Sequence, residues 1–96
     1  MTKGAYKFRE FYIPEHMFFA LRRYVVEHRN VGGFLTAIIQ NNLRESVALA
    51  DEENIQNLPA YVNYLYNECP AECWGSKEKM EKWLALAEDN PERNDT

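Results

Sequence analysis

Pro14-Glu15-His16-Met17-Phe18-Phe19-Ala20-Leu21-Arg22-Arg23-Tyr24-Val25-Val26-Glu27-His28-Arg29 is the stretch on which the fold turns. Met17, Phe18, Leu21, Tyr24, Val25 and His28 recur at the helical period and form one broad stripe, while Arg22, Arg23 and Glu27 fall off it. Proline suits a first helical position, because the N–H it lacks would have no partner there. We expect the helix to end near Arg29, where Asn30-Val31-Gly32-Gly33 offers glycine for a left-handed terminus.

Downstream, a second helix opens at Phe34 with Leu35, Ile38, Ile39 and Leu43 on its buried side. Gln40-Asn41-Asn42 weakens its continuity towards Ala50. Asp51 has the chemistry of an N-cap for a third helix, with Asn54 and Ile55 close to its start. Pro59 then demands a kink or a restart near Leu58. Beyond it Val62, Leu65 and Tyr66 extend an apolar face to about Glu68. Cys69 to Gly75 form a connector. Ser76 caps a fourth helix, Glu78 sits near its positive end, and Met80, Trp83, Leu84 and Ala87 supply its buried side.

Upstream, Ala5-Tyr6-Lys7-Phe8-Arg9-Glu10-Phe11-Tyr12-Ile13 is β-prone and starts by alternating apolar with basic residues. No later segment looks like its partner, and a lone strand cannot satisfy its own backbone. It is expected to be an extended arm laid over the helices, with pairing to a second molecule as the other option. The sequence thus predicts a mainly α fold, a small bundle of about four helices with an extended N-terminal arm or strand. The 96 residues fit a single domain: an aromatic arm or strand at 1–12, a helical core at 13–88 and a frayed polar tail at 89–96.

With 46% hydrophobic and 14% aromatic residues, the chain has enough apolar surface to fold. No run approaches the roughly 18 apolar residues of a membrane helix, and Met1 to Lys7 lacks the apolar core of a secretory signal. Reduced thiols at Cys69 and Cys73 suit the cytoplasm, since a disulfide between residues so close would close a very short loop and stabilise little. The net charge is −4, divided as +3 over residues 1–30 and −7 over the remainder. Such asymmetry can orient a partner or favour a homo-oligomer.

Catalytic machinery is not evident, so the expectation is a protein that is not an enzyme and takes no cofactor or metal. His16 and His28 lie twelve residues apart on one helix, roughly 18 Å along its axis. The two cysteines and these histidines do not make a zinc spacing. Gly32-Gly33 is explained by a turn, and Asp51-Glu52-Glu53 lacks the alternating ligands of a calcium loop. Tyr61, Tyr64 and Trp74 form the candidate protein-binding cluster, because such rings pair large apolar area with a polar handle. They serve equally as core, the default for Trp74, and with Tyr66 round the side at least one tyrosine should be exposed. The second candidate is a nucleic-acid face made by Arg22, Arg23 and Arg29, weakened by the acidic total and by the apolar helix that follows.

Several blocks give the chain a likeness: Ile13-Pro14, Met17, Leu21-Arg22-Arg23-Tyr24, Gly32-Gly33-Phe34-Leu35-Thr36-Ala37, Asn42-Leu43, Ala50-Asp51-Glu52-Glu53-Asn54, Leu65-Tyr66-Asn67, Pro70, Cys73-Trp74-Gly75-Ser76 and Trp83. Together they resemble a family of small proteins of tailed phages and prophages, over about residues 13–85. The residues before Ile13 and after about Ala85 depart from the family pattern. The resemblance implies no known activity. It implies a phage accessory protein in the bacterial cytoplasm that binds a host or phage protein, including one of a host defence system.

Overall fold

The computed structural model describes residues 5–88, so the expected frayed tail at 89–96 lies outside the described residues. The N-terminal segment is a hairpin: β1 (Tyr6–Phe8) and β2 (Phe11–Ile13) pair antiparallel, with Tyr6 opposite Ile13, Lys7 opposite Tyr12 and Phe8 opposite Phe11. This corrects the expectation of an unpaired arm, since the strand's partner is Phe11–Ile13, just beyond a two-residue turn. The two-residue turn Arg9-Glu10 lacks the usual Asn-Gly or Asp-Gly signal, and Arg9 itself takes the left-handed conformation at φ 57. The edge that might have sought a second molecule is engaged at Tyr12, whose N–H donates to Asn57 Oδ1 at 2.8 Å.

Pro14 precedes α1 (Glu15–Glu27), which buries Leu21 and Tyr24 completely. His28, not a glycine, ends the helix: it sits at φ 59, and its N–H and that of Arg29 reach back to the carbonyls of Tyr24 and Arg23. Gly32 is extended instead and precedes α2 (Gly33–Ile39). Helix α2 is almost entirely core, burying Phe34, Leu35, Ala37, Ile38 and Ile39. Asn41 at φ 60 then breaks the chain, and Asn42 caps α3 (Leu43–Leu49) by accepting from the Glu45 N–H. Leu43 therefore points away from the core that the sequence predicted for it and is 71% exposed.

Asp51 caps α4 (Glu52–Gln56) as expected, its Oδ1 accepting from the Asn54 N–H at 2.8 Å. The chain restarts as α5 (Leu58–Glu68), where Pro59 occupies the first turn and costs no backbone bond. A single 3₁₀ turn, Ala71–Cys73, and Gly75 at φ 117 lead into α6 (Lys77–Glu88), with Ser76 Oγ accepting from the Lys79 N–H. The described residues thus hold six α-helices where about four were expected. The long second and third helices each divide, at Asn41 and at Asn57.

One core joins the hairpin, α1, α2, α5, the 3₁₀ turn and α6 around Ile13, Leu21, Tyr24, Leu35, Ile39, Tyr61, Leu65, Cys73 and Met80. Helices α3 and α4 contribute only polar groups to the interior, Ser46 and Asn54. Both are satisfied: Ser46 Oγ donates to the Asn42 carbonyl and Asn54 Oδ1 accepts from Tyr61. Two long-range bonds tie the first long helix to the last. Trp83 Nε1 donates to the Tyr24 carbonyl at 3.0 Å, and His28 Nδ1 donates to the Trp83 carbonyl at 3.0 Å. Because a carbonyl can only accept, that contact places the histidine proton on Nδ1.

Candidate functional site

Tyr61 and Tyr64 share the inner side of α5 and are 0% and 6% exposed. Tyr61 packs edge-on against Phe34 with ring centres 5.2 Å apart, and its hydroxyl donates to Asn54 Oδ1 at 2.6 Å. Burial pushes its pKa well above the usual tyrosine value, helped by Asp51 and Glu53 nearby. Tyr64 stands edge-on to Tyr6 and Phe18, at 5.0 and 5.1 Å, and burial chiefly pushes its pKa up to about 12. Trp74 lies half-buried after the 3₁₀ turn and packs on the same core. The three residues therefore do not make an open aromatic cluster. Tyr61 and Tyr64 hold the hairpin and α2 onto α5, and present no surface to a partner. Of the α5 tyrosines, Tyr66 is the one exposed, at 74%.

The three arginines are dispersed differently. Arg23 and Arg29 converge on the Glu27 carboxylate, at 4.0 and 3.7 Å, and the Arg23 guanidinium also lies 5.6 Å over the Phe19 ring. Arg22 makes no ion pair among the described residues and is exposed. Two of the three cations are thus partly neutralised locally, which weakens them as phosphate ligands. His16 is exposed near the start of α1, while His28 at its other end is occupied by Trp83, its ring centre 4.7 Å from the indole.

The outer side of α1 carries a pattern that sequence reasoning passed over. Phe19 and Val26 are 63% and 58% exposed. Seven residues apart, they stand one above the other, two turns along the helix, opposite the Leu21–Tyr24 side. Arg22 and Arg23 flank them, and with His16 and Glu15 they line an open hollow of about 740 Å³. The signal was present: Phe19 and Val26 are the large apolar residues of this helix that miss its buried stripe. Singly exposed apolar residues need no explanation, whereas aligned ones between cations do.

Among the described residues no three His, Cys, Asp or Glu side chains gather as a metal would require, and no helix is long and apolar enough to cross a membrane. No family model, curated protein or solved structure matches the chain.

Proposed function

We propose that the protein is a non-enzymatic protein-binding module and that its docking face is the outer side of α1. The observation that carries this reading is the pair Phe19 and Val26, exposed in line with Arg22 and Arg23 on either side. Interfaces derive most of their energy from a few apolar and arginine anchors surrounded by a polar rim, and this face has that composition. The cations select an acidic partner surface, with Arg22 uncommitted to any carboxylate. The resemblance to phage proteins supplies the setting: a phage accessory factor in the bacterial cytoplasm that binds and modulates a host protein, one of a defence system included.

Affinity capture from bacterial lysate, run with the natural chain and with a Phe19→Ser/Val26→Ser double variant, tests the proposal. Because both side chains are exposed, the variant should keep the melting temperature and lose a near-stoichiometric acidic protein from the eluate. Recovery of nucleic acid alone, falling away steeply with salt as phosphate binding must, would replace this reading with nucleic-acid binding through Arg22, Arg23 and Arg29. Retention of one protein partner by both chains would move the docking face elsewhere. Sedimentation of the purified chain separates a foreign partner from a second copy on the same surface.

A further inference from the structure

Helix α5 turns Tyr61, Tyr64 and Leu65 inward, and its opposite side carries Pro59, Val62 and Tyr66. Spaced three and then four residues apart, these three fall in one line along the helix. Pro59 is half-buried, whereas Val62 is 48% and Tyr66 74% exposed. Amides border the line: Asn67 Nδ2 donates to Asn63 Oδ1 and Asn63 Nδ2 to the Tyr6 hydroxyl, each at 2.7 Å. Those bonds fix the amides near the Tyr66 ring before anything docks, so contact there costs little side-chain freedom. The tyrosine ring itself offers a large area on two rotatable bonds, which suits it to anchor a binding surface.

Charge sets this face apart. Residues 55–67 contain no Asp, Glu, Lys, Arg or His, in a chain that is 27% charged. Elsewhere exposed apolar residues stand beside charges: Phe19 and Val26 beside the α1 arginines, Leu43 and Val47 beside Arg44 and Glu45 on α3, and Leu86 one turn from Lys82 on α6. A helix side without charge can neither steer nor select a charged partner. It can, however, meet a copy of itself without like-charge repulsion, although each whole chain carries −4. The spacing is self-complementary as well. About a two-fold axis at Val62, antiparallel copies of α5 bring Val62 to Val62. Pro59 and Tyr66, roughly 5 Å to either side, then face each other across the axis. We propose that the outer side of α5 is a two-fold interface between copies of this chain, antiparallel helices meeting at Val62 with each Tyr66 ring against the partner's Pro59. This face is separate from the α1 side and leaves that side open to a foreign protein.

Sedimentation of the full chain over a wide range of concentration is the test. One helix laid against another buries less than the roughly 1,600 Å² of a standard interface. The expected mass is therefore one chain in nanomolar solution, rising to two in the upper micromolar range and no further, because a two-fold contact closes on itself. Val62→Glu and Val62→Lys each bring like charges together at the axis, so each variant should stay monomeric where the natural chain is paired. Their equimolar mixture should recover the mass of two chains, since glutamate then meets lysine. Tyr66→Glu, on an exposed ring, should also be monomeric, and it takes the place of the Val62 variants if circular dichroism shows that they fail to fold. The Phe19→Ser/Val26→Ser chain should pair as the natural one does. A monomer at every concentration, pairing that survives Val62→Glu or Tyr66→Glu, a mixture that stays monomeric, or masses beyond two chains would each overturn the proposal. So would loss of pairing in Phe19→Ser/Val26→Ser, which would place the second copy on α1. Pairing and capture from lysate are read in separate assays, so either face can fail without the other.

Discussion

The Tyr61 hydroxyl illustrates how single polar groups are held in this interior. It donates to Asn54 Oδ1 within the core. Tyr61→Phe leaves the ring in place but strands the buried amide oxygen, and an unsatisfied buried acceptor costs about 1–3 kcal/mol. Urea unfolding should show that loss with an unchanged slope, and Tyr66→Phe, on an exposed ring, should show none. The same burial sets the response to alkali. Tyr24, Tyr61 and Tyr64 keep their protons in the folded chain to pH values above those at which an unfolded tyrosine ionises, near 10. The folded state therefore binds more protons than the unfolded state above that pH, and stability must fall as pH rises. The contribution is complete below pH 10 and is being lost through about 12, the value to which Tyr64 is pushed. Tyrosinate absorbance at 295 nm should consequently appear in two phases, the exposed rings first and the buried ones together with loss of helix.

Helix boundaries rest on a few short polar side chains. Asp51 supplies the N-terminal side-chain cap of the five-residue α4, which has no apolar core residue to hold it. Asp51→Ala should cost about 1 kcal/mol, Asp51→Asn much less, and thermal melts of the two separate capping from charge. These caps were legible in the residues themselves: Asp51 and Ser76 both sit where the sequence placed them, and Pro59 marks a restart. The stripe on α1 was legible too, because period alone determines which of its residues meet. The hairpin was not, since its turn is Arg9-Glu10 and the left-handed residue is an arginine. The end of α1 was misassigned for the same reason, with His28 taking the conformation expected of glycine. The tyrosines of α5 could have faced either way, because a tyrosine suits a core and an interface alike. Only the rings packed edge-on against them from β1, α1 and α2 decide it.

Across the whole molecule, the hairpin is a structural member of the core. Tyr6 lies stacked on Phe18 and accepts from Asn63 Nδ2 at 2.7 Å, and Tyr12 is bound to Asn57 and Glu53. A chain beginning at Tyr12 should therefore melt at a lower temperature or fail to accumulate, whatever its state of association, as circular dichroism will show. The opposite end is equally committed. Trp83→Ala should cost about 3 kcal/mol, the low end for tryptophan because the ring is half-buried, and a scan of melting temperatures checks it. The bond from Trp83 to Tyr24 spans 59 positions of the chain. During synthesis at roughly 5–20 residues per second, α1 therefore waits on the order of 3–12 s before its partner exists. Throughout that interval the Tyr24 carbonyl lacks its donor and the core its α6 side, so nascent chains stalled before Trp83 should be cut faster by protease than chains that include α6. α6 thus closes on α1 only after every element between them has been made.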